Sequence, residues 1–166
     1  PHAWQSVVDW LESHGYFVAV ISKEKTELKN VIDLTNKSIE QTMNTIKHSD
    51  LCISVSSGVA WLSWALGVKS MIISGCTKPY CEFTTDVIRI HNDKVCNGCL
   101  NDPDVRFNKG DWNWCERDKD FECSKSISPI AVTDEIAKHL NLGGLNGKGK
   151  QKQNKKSAGW KKATVG

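Results

Sequence analysis

The order of apolar and polar segments along the chain predicts helices and strands in alternation. Trp4 and Leu11 belong to an apolar set at helical spacing, and Gly15 lies where that helix would end. An uninterrupted apolar run, typical of a strand covered on both faces, occupies residues 16–22. Apolar segments that include polar residues predict further strands at residues 31–34, 51–55, 68–74 and 86–91. Further helices are predicted at residues 38–48, 59–66 and 128–140.

This alternation predicts an α/β fold, a Rossmann-like, doubly wound parallel sheet with helices on both faces. The chain has 166 residues, enough for one such domain, which we place at residues 1–142. Within it, residues 94–124 are rich in cysteine and turn-forming residues. They are predicted to form a Cys-rich metal-binding insertion before the last helix.

Residues 143–166 differ from the rest of the chain in charge. They hold seven lysines, no acidic residue and half of the twelve glycines, whereas the remainder has 15 basic and 19 acidic residues. Low hydrophobicity with high charge predicts a disordered tail. A basic arm can bind nucleic acid or acidic surfaces. We prefer a solvated tail and expect no nucleic-acid partner.

Composition and the first residues of the chain indicate where in the cell the protein is located. No segment approaches the roughly eighteen consecutive apolar residues of a membrane span, so none is expected. Residues 1–10 show no leader pattern, and the first residue is not Met, so we expect a piece of a longer protein. Seven cysteines, an odd number, argue against a disulfide framework and predict a reduced, cytoplasmic protein.

A polar turn, Ser56-Ser57-Gly58, follows the predicted strand 51–55 and opens a helix at Val59. Ligands of such sheets bind beyond the carboxyl ends of the strands, and a helix N-terminus favours phosphate there. Capping of the helix explains the same residues equally well. The turn is neither a P-loop nor the three-glycine dinucleotide motif.

Two further side chains are candidates for a nucleotide site. Glu24, just past the strand that ends near Ser22, can accept hydrogen bonds from a ribose diol, although solvated charge is the commoner role. Trp61 is a candidate wall of a donor site. For both Trp61 and Trp64, packing on the sheet is the preferred interpretation.

Four cysteines form a candidate metal site: Cys96, Cys99, Cys115 and Cys123. Two sulfurs separated by two residues can chelate one ion, and Gly98 allows the tight turn between them. Four thiolates suit tetrahedral zinc or iron, and a closed site of this kind is structural. Cys76 and Cys81 leave a second or mixed site open. Among other residues, His91 is the nearest alternative ligand, although we expect it to end a strand.

Two stretches resemble known enzymes. Residues 30–35, 49–67 and 68–75 resemble the C-terminal half of ADP-heptose-type glycosyltransferases, in which an Asp-Ser-Gly-like turn holds the donor diphosphate. Ser56 stands where many members carry Asp, and Trp61 where many carry His. Residues 95–103, 110–115 and 121–129 are similar to bacterial autotransporter heptosyltransferases, which carry a four-cysteine metal site with iron.

The resemblance implies the C-terminal, donor-binding half of a GT-B enzyme that moves heptose from ADP-heptose, or a related nucleotide-sugar, to serine hydroxyls of an autotransporter-like protein. The donor residues would be Ser56, Ser57, Gly58, Val59, Trp61 and Glu24. The catalytic residue is unknown, because the resemblance places it in an N-terminal domain. It also implies that the first strand of the donor domain is missing. A homo-oligomer is left open.

Two other functions fit the sequence. One is a metal-stapled binding module whose basic arm contacts nucleic acid or an acidic partner. The other is an inactive remnant that assembles only with a partner chain. Neither the sugar, the acceptor protein nor the choice between iron and zinc follows from the sequence.

Overall fold

The computed structural model describes residues 2–105, 114–140, 142 and 162–165. The predicted alternation of helices and strands is confirmed. In chain order the elements are α1 (His2–Ser13), β1 (Phe17–Val20), β2 (Ile32–Asp33), α2 (Ile39–Lys47), β3 (Leu51–Val55), α3 (Gly58–Ala65), β4 (Ser70–Ile73), β5 (Val87–Ile90), α4 (Glu122–Lys125), α5 (Pro129–His139) and β6 (Lys162–Val165). Short 3-10 turns lie at Pro79–Cys81 and Cys99–Asn101.

The strands form one sheet in the order β2-β1-β6-β3-β4-β5, and every pairing is parallel. Side chains of β3 show that both faces are covered. Ile53 points into a cluster with residues of α1 and α5, whereas Cys52 packs with Ile46 of α2 and with α3. The doubly wound α/β fold is therefore confirmed.

Burial acts on Cys52 as expected for a strand residue of the core. It is 1% exposed, and burial raises the pKa of its thiol to about 11, although a hydrogen bond to Ser63 lowers it. The thiol therefore stays protonated at neutral pH.

Within the described ranges, no helix has the length and apolar character that crossing a bilayer requires.

Strand β6 lies at the centre of the sheet. Val165 is the register partner of both Val20 in β1 and Ile53 in β3. Ala163 faces the α1–α5 side and is 1% exposed. Thr164 is equally buried, and its hydroxyl contacts that of Ser49.

The prediction of a disordered tail over residues 143–166 is wrong for Lys162–Val165. These few residues next to lysines give no strand pattern, but Ala163 and Thr164 have small side chains that are buried in the sheet. In the Rossmann strand order, the place between β1 and β3 belongs to the first strand of the domain, which the resemblance implied to be missing. Strand β6 fills that place. Residues 143–161 lie outside the described residues.

Replacing Ala163 with Asp tests the central position of β6. The carboxylate would be buried without a partner between α1 and α5, and we expect it to lower the free energy of unfolding by about 3–5 kcal/mol. Urea denaturation of the full chain measures this. Ala131→Asp is the matched control, because Ala131 is exposed in the first turn of α5, where a carboxylate is favourable. Equal stability of the two variants would contradict a buried, central β6.

Candidate functional site

The turn between β3 and α3 leaves polar groups without partners. Ser57 is the N-cap residue of α3, yet its side chain makes no capping hydrogen bond. Its Oγ is buried and, within the described ranges, lacks any hydrogen-bond partner. The first backbone N–H groups of a helix also lack intrahelical acceptors. The turn therefore presents unpaired donors at the carboxyl edge of the sheet.

Ser38, the N-cap residue of α2, shows what capping looks like in the same protein. Its Oγ accepts a hydrogen bond from the backbone N–H of Gln41 at 3.3 Å, and the Gln41 side chain accepts one in return from the Ser38 N–H. The sequence left capping and anion binding open at Ser57. The structure places a capping hydrogen bond at Ser38 and none at Ser57.

A cavity of about 670 Å³ opens beside this turn. Ser56, Ser57 and Trp61 line it on the side of β3 and α3. Gly58 and Val59 begin α3 but do not line the cavity. A Cβ built on Gly58 would meet no described atom within 4 Å, so the fold leaves the space above its backbone open.

Glu24 does not line the cavity. It is exposed, in the loop after β1, where its backbone carbonyl accepts a hydrogen bond from the Ser22 hydroxyl at 2.5 Å. Its strand ends at the same edge as β3, because Val20 and Ile53 share the register partner Val165. The structure therefore places Glu24 at the predicted edge but not in the cavity.

Trp61 and Trp64 are not core residues, contrary to the preferred interpretation of the sequence. They keep 45% and 39% of their surface exposed. Both contact buried Phe83, with ring centroids 5.2 and 5.4 Å away. Helix α3 packs against β3 and β4, and Phe83 covers one side of the indoles. Trp61 lines the cavity together with Ser56 and Ser57.

The turn between Cys96 and Cys99 is bound to the loop that follows β4. The backbone N–H of Gly98 donates to the Gly75 carbonyl at 2.8 Å, and that of Leu100 donates to the Cys76 carbonyl at 2.9 Å. Gly98 has φ +70°, a conformation that favours glycine, so its predicted role in a tight turn is confirmed.

Cys123 approaches the same loop from α4. It is buried, and a Cβ built on Gly75 would lie 2.7 Å from its Sγ, so the sulfur packs directly on the loop backbone. A side chain at position 75 would therefore push Cys123 away. The structure brings two separate segments of the predicted insertion to one place beyond β4.

Cys115 has surroundings typical of a metal-binding thiolate. Its Sγ accepts a hydrogen bond from the backbone N–H of Lys119 at 3.4 Å. Burial raises the pKa of this thiol, but backbone N–H groups of Phe121, Lys119 and Arg117 outweigh burial and hold the pKa below its usual value. Such donors stabilise the thiolate, the form that binds metals.

The cysteines share the cavity. Its lining includes six of them: Cys76, Cys81, Cys96, Cys99, Cys115 and Cys123. Burial raises the pKa of the Cys99 thiol, and so do the charges of its neighbouring thiolates, those of Cys76, Cys123, Cys96 and Cys115. Among the described residues, however, no three His, Cys, Asp or Glu side chains are grouped closely enough to hold a metal ion. The four-cysteine metal site therefore stays a prediction.

Sequence reasoning missed a buried ion pair that supports the cavity. Glu82 pairs with Arg89 of β5, and both side chains are largely buried. Thr77 donates to Glu82 Oε1 at 2.6 Å, and Arg89 Nη2 donates to Ser74 Oγ at 2.7 Å. The charged Arg89 within an apolar run was the available signal, since a buried charge needs a partner. The network fixes the loop that carries Cys76.

His91 lies just past β5, as expected. Its Nε2 is 3.2 Å from the Asp93 carboxylate, and it does not line the cavity. The structure therefore gives no support to His91 as an alternative ligand.

The known proteins that resemble this chain share one description, that of autotransporter heptosyltransferases. No protein-family model matches the chain. The chain is 32% identical over 154 residues to the autotransporter heptosyltransferase BAHTCr of Citrobacter rodentium, covering 84% of the chain and 37% of that protein. It is 31% identical to TibC of Escherichia coli, covering 84% and 38%. BimC of Burkholderia thailandensis, named an inactive autotransporter heptosyltransferase, is 28% identical over 77% of the chain.

Solved structures agree with the sequence comparison. The crystal structure of the iron-containing dodecameric glycosyltransferase TibC matches with a TM-score of 0.77 at 30% identity, over 84% of this chain and 40% of TibC. A structure of dodecameric TibC with ADP-D-β-D-heptose matches equally well, over 85% and 41%. The chain thus spans about two fifths of these proteins. In sequence and in fold, it is similar to part of the autotransporter heptosyltransferases.

Proposed function

We propose that this chain is the donor-binding half of a glycosyltransferase that moves heptose from ADP-heptose, or a related nucleotide-sugar, to serine hydroxyls of a protein. The observation behind the proposal is the unpaired Ser57 hydroxyl at the start of α3, beside a cavity of about 670 Å³. Similarity to TibC, which has been solved with ADP-D-β-D-heptose, supports the nature of the donor.

The diphosphate would bind at the turn. Its oxygens would accept hydrogen bonds from the Ser57 hydroxyl and from the first N–H groups of α3, at Gly58 and Val59, where the helix dipole favours negative charge. Ser56 would add a hydroxyl, and the exposed face of Trp61 would form the wall against the sugar. Lys119 also lines the cavity, and its positive charge would stabilise the leaving diphosphate.

The nucleoside would extend from the turn toward β1. Val20, the last residue of β1, is level with Ile53 of β3, and β6 lies between them, so the two strands lie roughly 10 Å apart at the strand spacing of a sheet. This span suits the step from a diphosphate to a ribose. Glu24, exposed beyond β1, would accept hydrogen bonds from the ribose diol.

We assign no catalytic base to this chain. Transfer to a serine hydroxyl requires a group that removes its proton. The resemblance places that base in an N-terminal domain, and the chain matches about two fifths of the length of its relatives.

Seven free thiols favour a reducing, cytoplasmic compartment. Dodecameric TibC supports a homo-oligomer, and the proposed acceptor is an autotransporter-like, serine-rich protein.

A structural iron or zinc ion would cross-link the cysteine segment to the domain, with Cys96, Cys99, Cys115 and Cys123 as ligands. The thiol donor set facing one cavity and the N–H groups around the Cys115 sulfur support this role. TibC is described as iron-containing. Such an ion supplies folding energy rather than a reacting group, because a closed thiolate site has no open position.

Binding of ADP-heptose by the full chain tests the donor site. We expect Ser57→Ala to weaken binding about tenfold or more, because a hydrogen bond to a charged oxygen is worth about 1.5–3 kcal/mol. Gly58→Val should weaken it at least as much, by blocking approach to the backbone. Since the Ser57 hydroxyl lacks a partner among the described residues, Ser57→Ala should leave stability within about 0.5 kcal/mol. Calorimetry and urea denaturation measure the two effects.

Ser38→Ala is the matched control, since it removes a hydroxyl from an N-cap that does form a capping hydrogen bond. It should cost about 1 kcal/mol of stability and leave donor affinity unchanged. If the folded Ser57→Ala and Gly58→Val variants bind ADP-heptose as tightly as the unaltered chain, or if the unaltered chain does not bind it, the proposed donor site is wrong.

Elemental mass spectrometry of the purified full chain tests the metal. We expect about one iron or zinc ion per chain, greatly reduced in Cys99→Ser, because loss of a thiolate from a tetrahedral site lowers affinity strongly. Cys81→Ser is the control, as Cys81 is exposed and its sulfur accepts a hydrogen bond from Asn101 Nδ2 at 2.8 Å. A folded, reduced chain without metal would refute the proposed centre.

A further inference from the structure

The order of the strands gives the direction in which the sugar of the donor would point. In the proposed function the diphosphate binds at the turn after β3, and the ribose extends toward β1 on one side of β3. The neighbour of β3 on its other side is β4. The cavity extends to that side, because Gly75 and Cys76 of the loop after β4 line it together with Ser57. A sugar on the far phosphate, pointing away from the ribose, would therefore enter the cavity.

Two tryptophans from separate parts of the chain line this cavity. Trp61 belongs to α3, whereas Trp114 lies in the cysteine-rich segment, directly before Cys115. Trp114 keeps 39% of its surface exposed, so part of its indole is accessible to a ligand. Val55 and Leu100 also line the cavity and are exposed, which adds apolar surface. Such a lining, apolar and aromatic with a few polar groups, is typical of a site for a small ligand.

Contacts between protein groups connect the segment of Trp114 to the loop after β4. Arg117, three residues after Trp114, forms an ion pair with Asp102. Asp102 directly follows the 3-10 turn Cys99–Asn101, in which the backbone N–H of Leu100 donates to the Cys76 carbonyl at 2.9 Å. These contacts give the segment a defined place at the cavity.

Charged side chains accompany Trp114 along the same segment. Glu116, Arg117 and Lys119 also line the cavity. A sugar ring presents C–H groups on its faces and hydroxyls around its edge, so its binding site needs an apolar surface with polar groups beside it. An indole provides a large, flat apolar surface. The segment 114–119 therefore offers both kinds of contact that a sugar requires.

We propose that Trp114 contacts the sugar of the bound donor, which makes the cysteine-rich segment part of the donor site as well as a structural insertion. The inference rests on the proposed function, since it requires the diphosphate at the turn that contains Ser57. Trp114 packs against the C–H groups of the heptose ring and has no contact with the nucleotide. It therefore contributes to the binding of a nucleotide-sugar but not to the binding of the nucleotide alone.

Calorimetric titration of the full chain with ADP-heptose and with ADP tests this. We expect Trp114→Ala to weaken ADP-heptose binding about tenfold and to leave ADP affinity within about twofold. Trp114→Phe should restore most of the ADP-heptose affinity, because a phenyl ring keeps an aromatic face. Trp64→Ala is the matched control, since Trp64 is also 39% exposed but does not line the cavity, and it should leave both affinities unchanged. Ser57→Ala should weaken both ligands, because both carry the diphosphate.

A second measurement keeps the indole in place. The full chain is labelled with 5-fluorotryptophan, and the fluorine resonance of Trp114 is identified as the one that Trp114→Phe lacks. Saturating ADP-heptose should shift this resonance, whereas saturating ADP should leave it where it is. An unmoved Trp114 resonance in the ADP-heptose complex would overturn the proposal, even if Trp114→Ala does not fold.

The remaining outcomes separate this inference from the function on which it rests. If Trp114→Ala weakens ADP and ADP-heptose equally, or weakens neither, Trp114 does not contact the sugar. The donor site at the turn survives that result as long as Ser57→Ala weakens both ligands. If the unaltered chain binds neither ligand, the proposed donor site is wrong, and the inference about Trp114 is wrong with it.

Discussion

The structure depends on the backbone ladders that β6 makes with β1 on one side and β3 on the other. In the described part of the chain, β1 and β3 do not pair with each other, so β6 joins a two-stranded and a three-stranded part into one sheet. The side chains of Ala163 and Thr164 are small and buried. The helices on both faces pack across this junction, which makes a short segment near the end of the chain essential to the core.

The parallel sheet explains why the polar turn after β3 and the cysteine-bearing loop after β4 share one cavity. Strands β3 and β4 are neighbours, and both end at the same edge, so the turn at Ser57 and the loop at Cys76 lie side by side. The ion pair between Glu82 and Arg89 fixes that loop through hydrogen bonds with Thr77 and Ser74. Cysteines of the predicted insertion line the same cavity as Trp61. On this account, a metal ion among the thiols would stabilise one wall of the donor site without taking part in transfer.

Most of the fold follows from the sequence, because apolar runs and helix caps are local signals. The run 51–55 and the polar turn after it predicted β3 and a helix opening at Val59, one residue after the observed start of α3 at Gly58. The position of Lys162–Val165 did not follow, since its burial depends on the gap between two distant strands and not on its own pattern. Likewise, Cys76 joins the cysteine cluster through backbone hydrogen bonds to a segment more than twenty residues away. The burial of Trp61 and Trp64 was predicted wrongly, because the exposure of an indole depends on where its helix crosses the sheet.

Hydrogen exchange of the backbone amides measures the central claim most directly, namely that the turn after β3 is where a donor diphosphate binds. The N–H groups of Gly58 and Val59 begin α3, where a helix offers them no acceptor of its own. With saturating ADP-heptose, the account predicts slower exchange at these two amides and at Ser57, and unchanged exchange at the capped start of α2. Unchanged exchange at the turn, with protection elsewhere or nowhere, would contradict it.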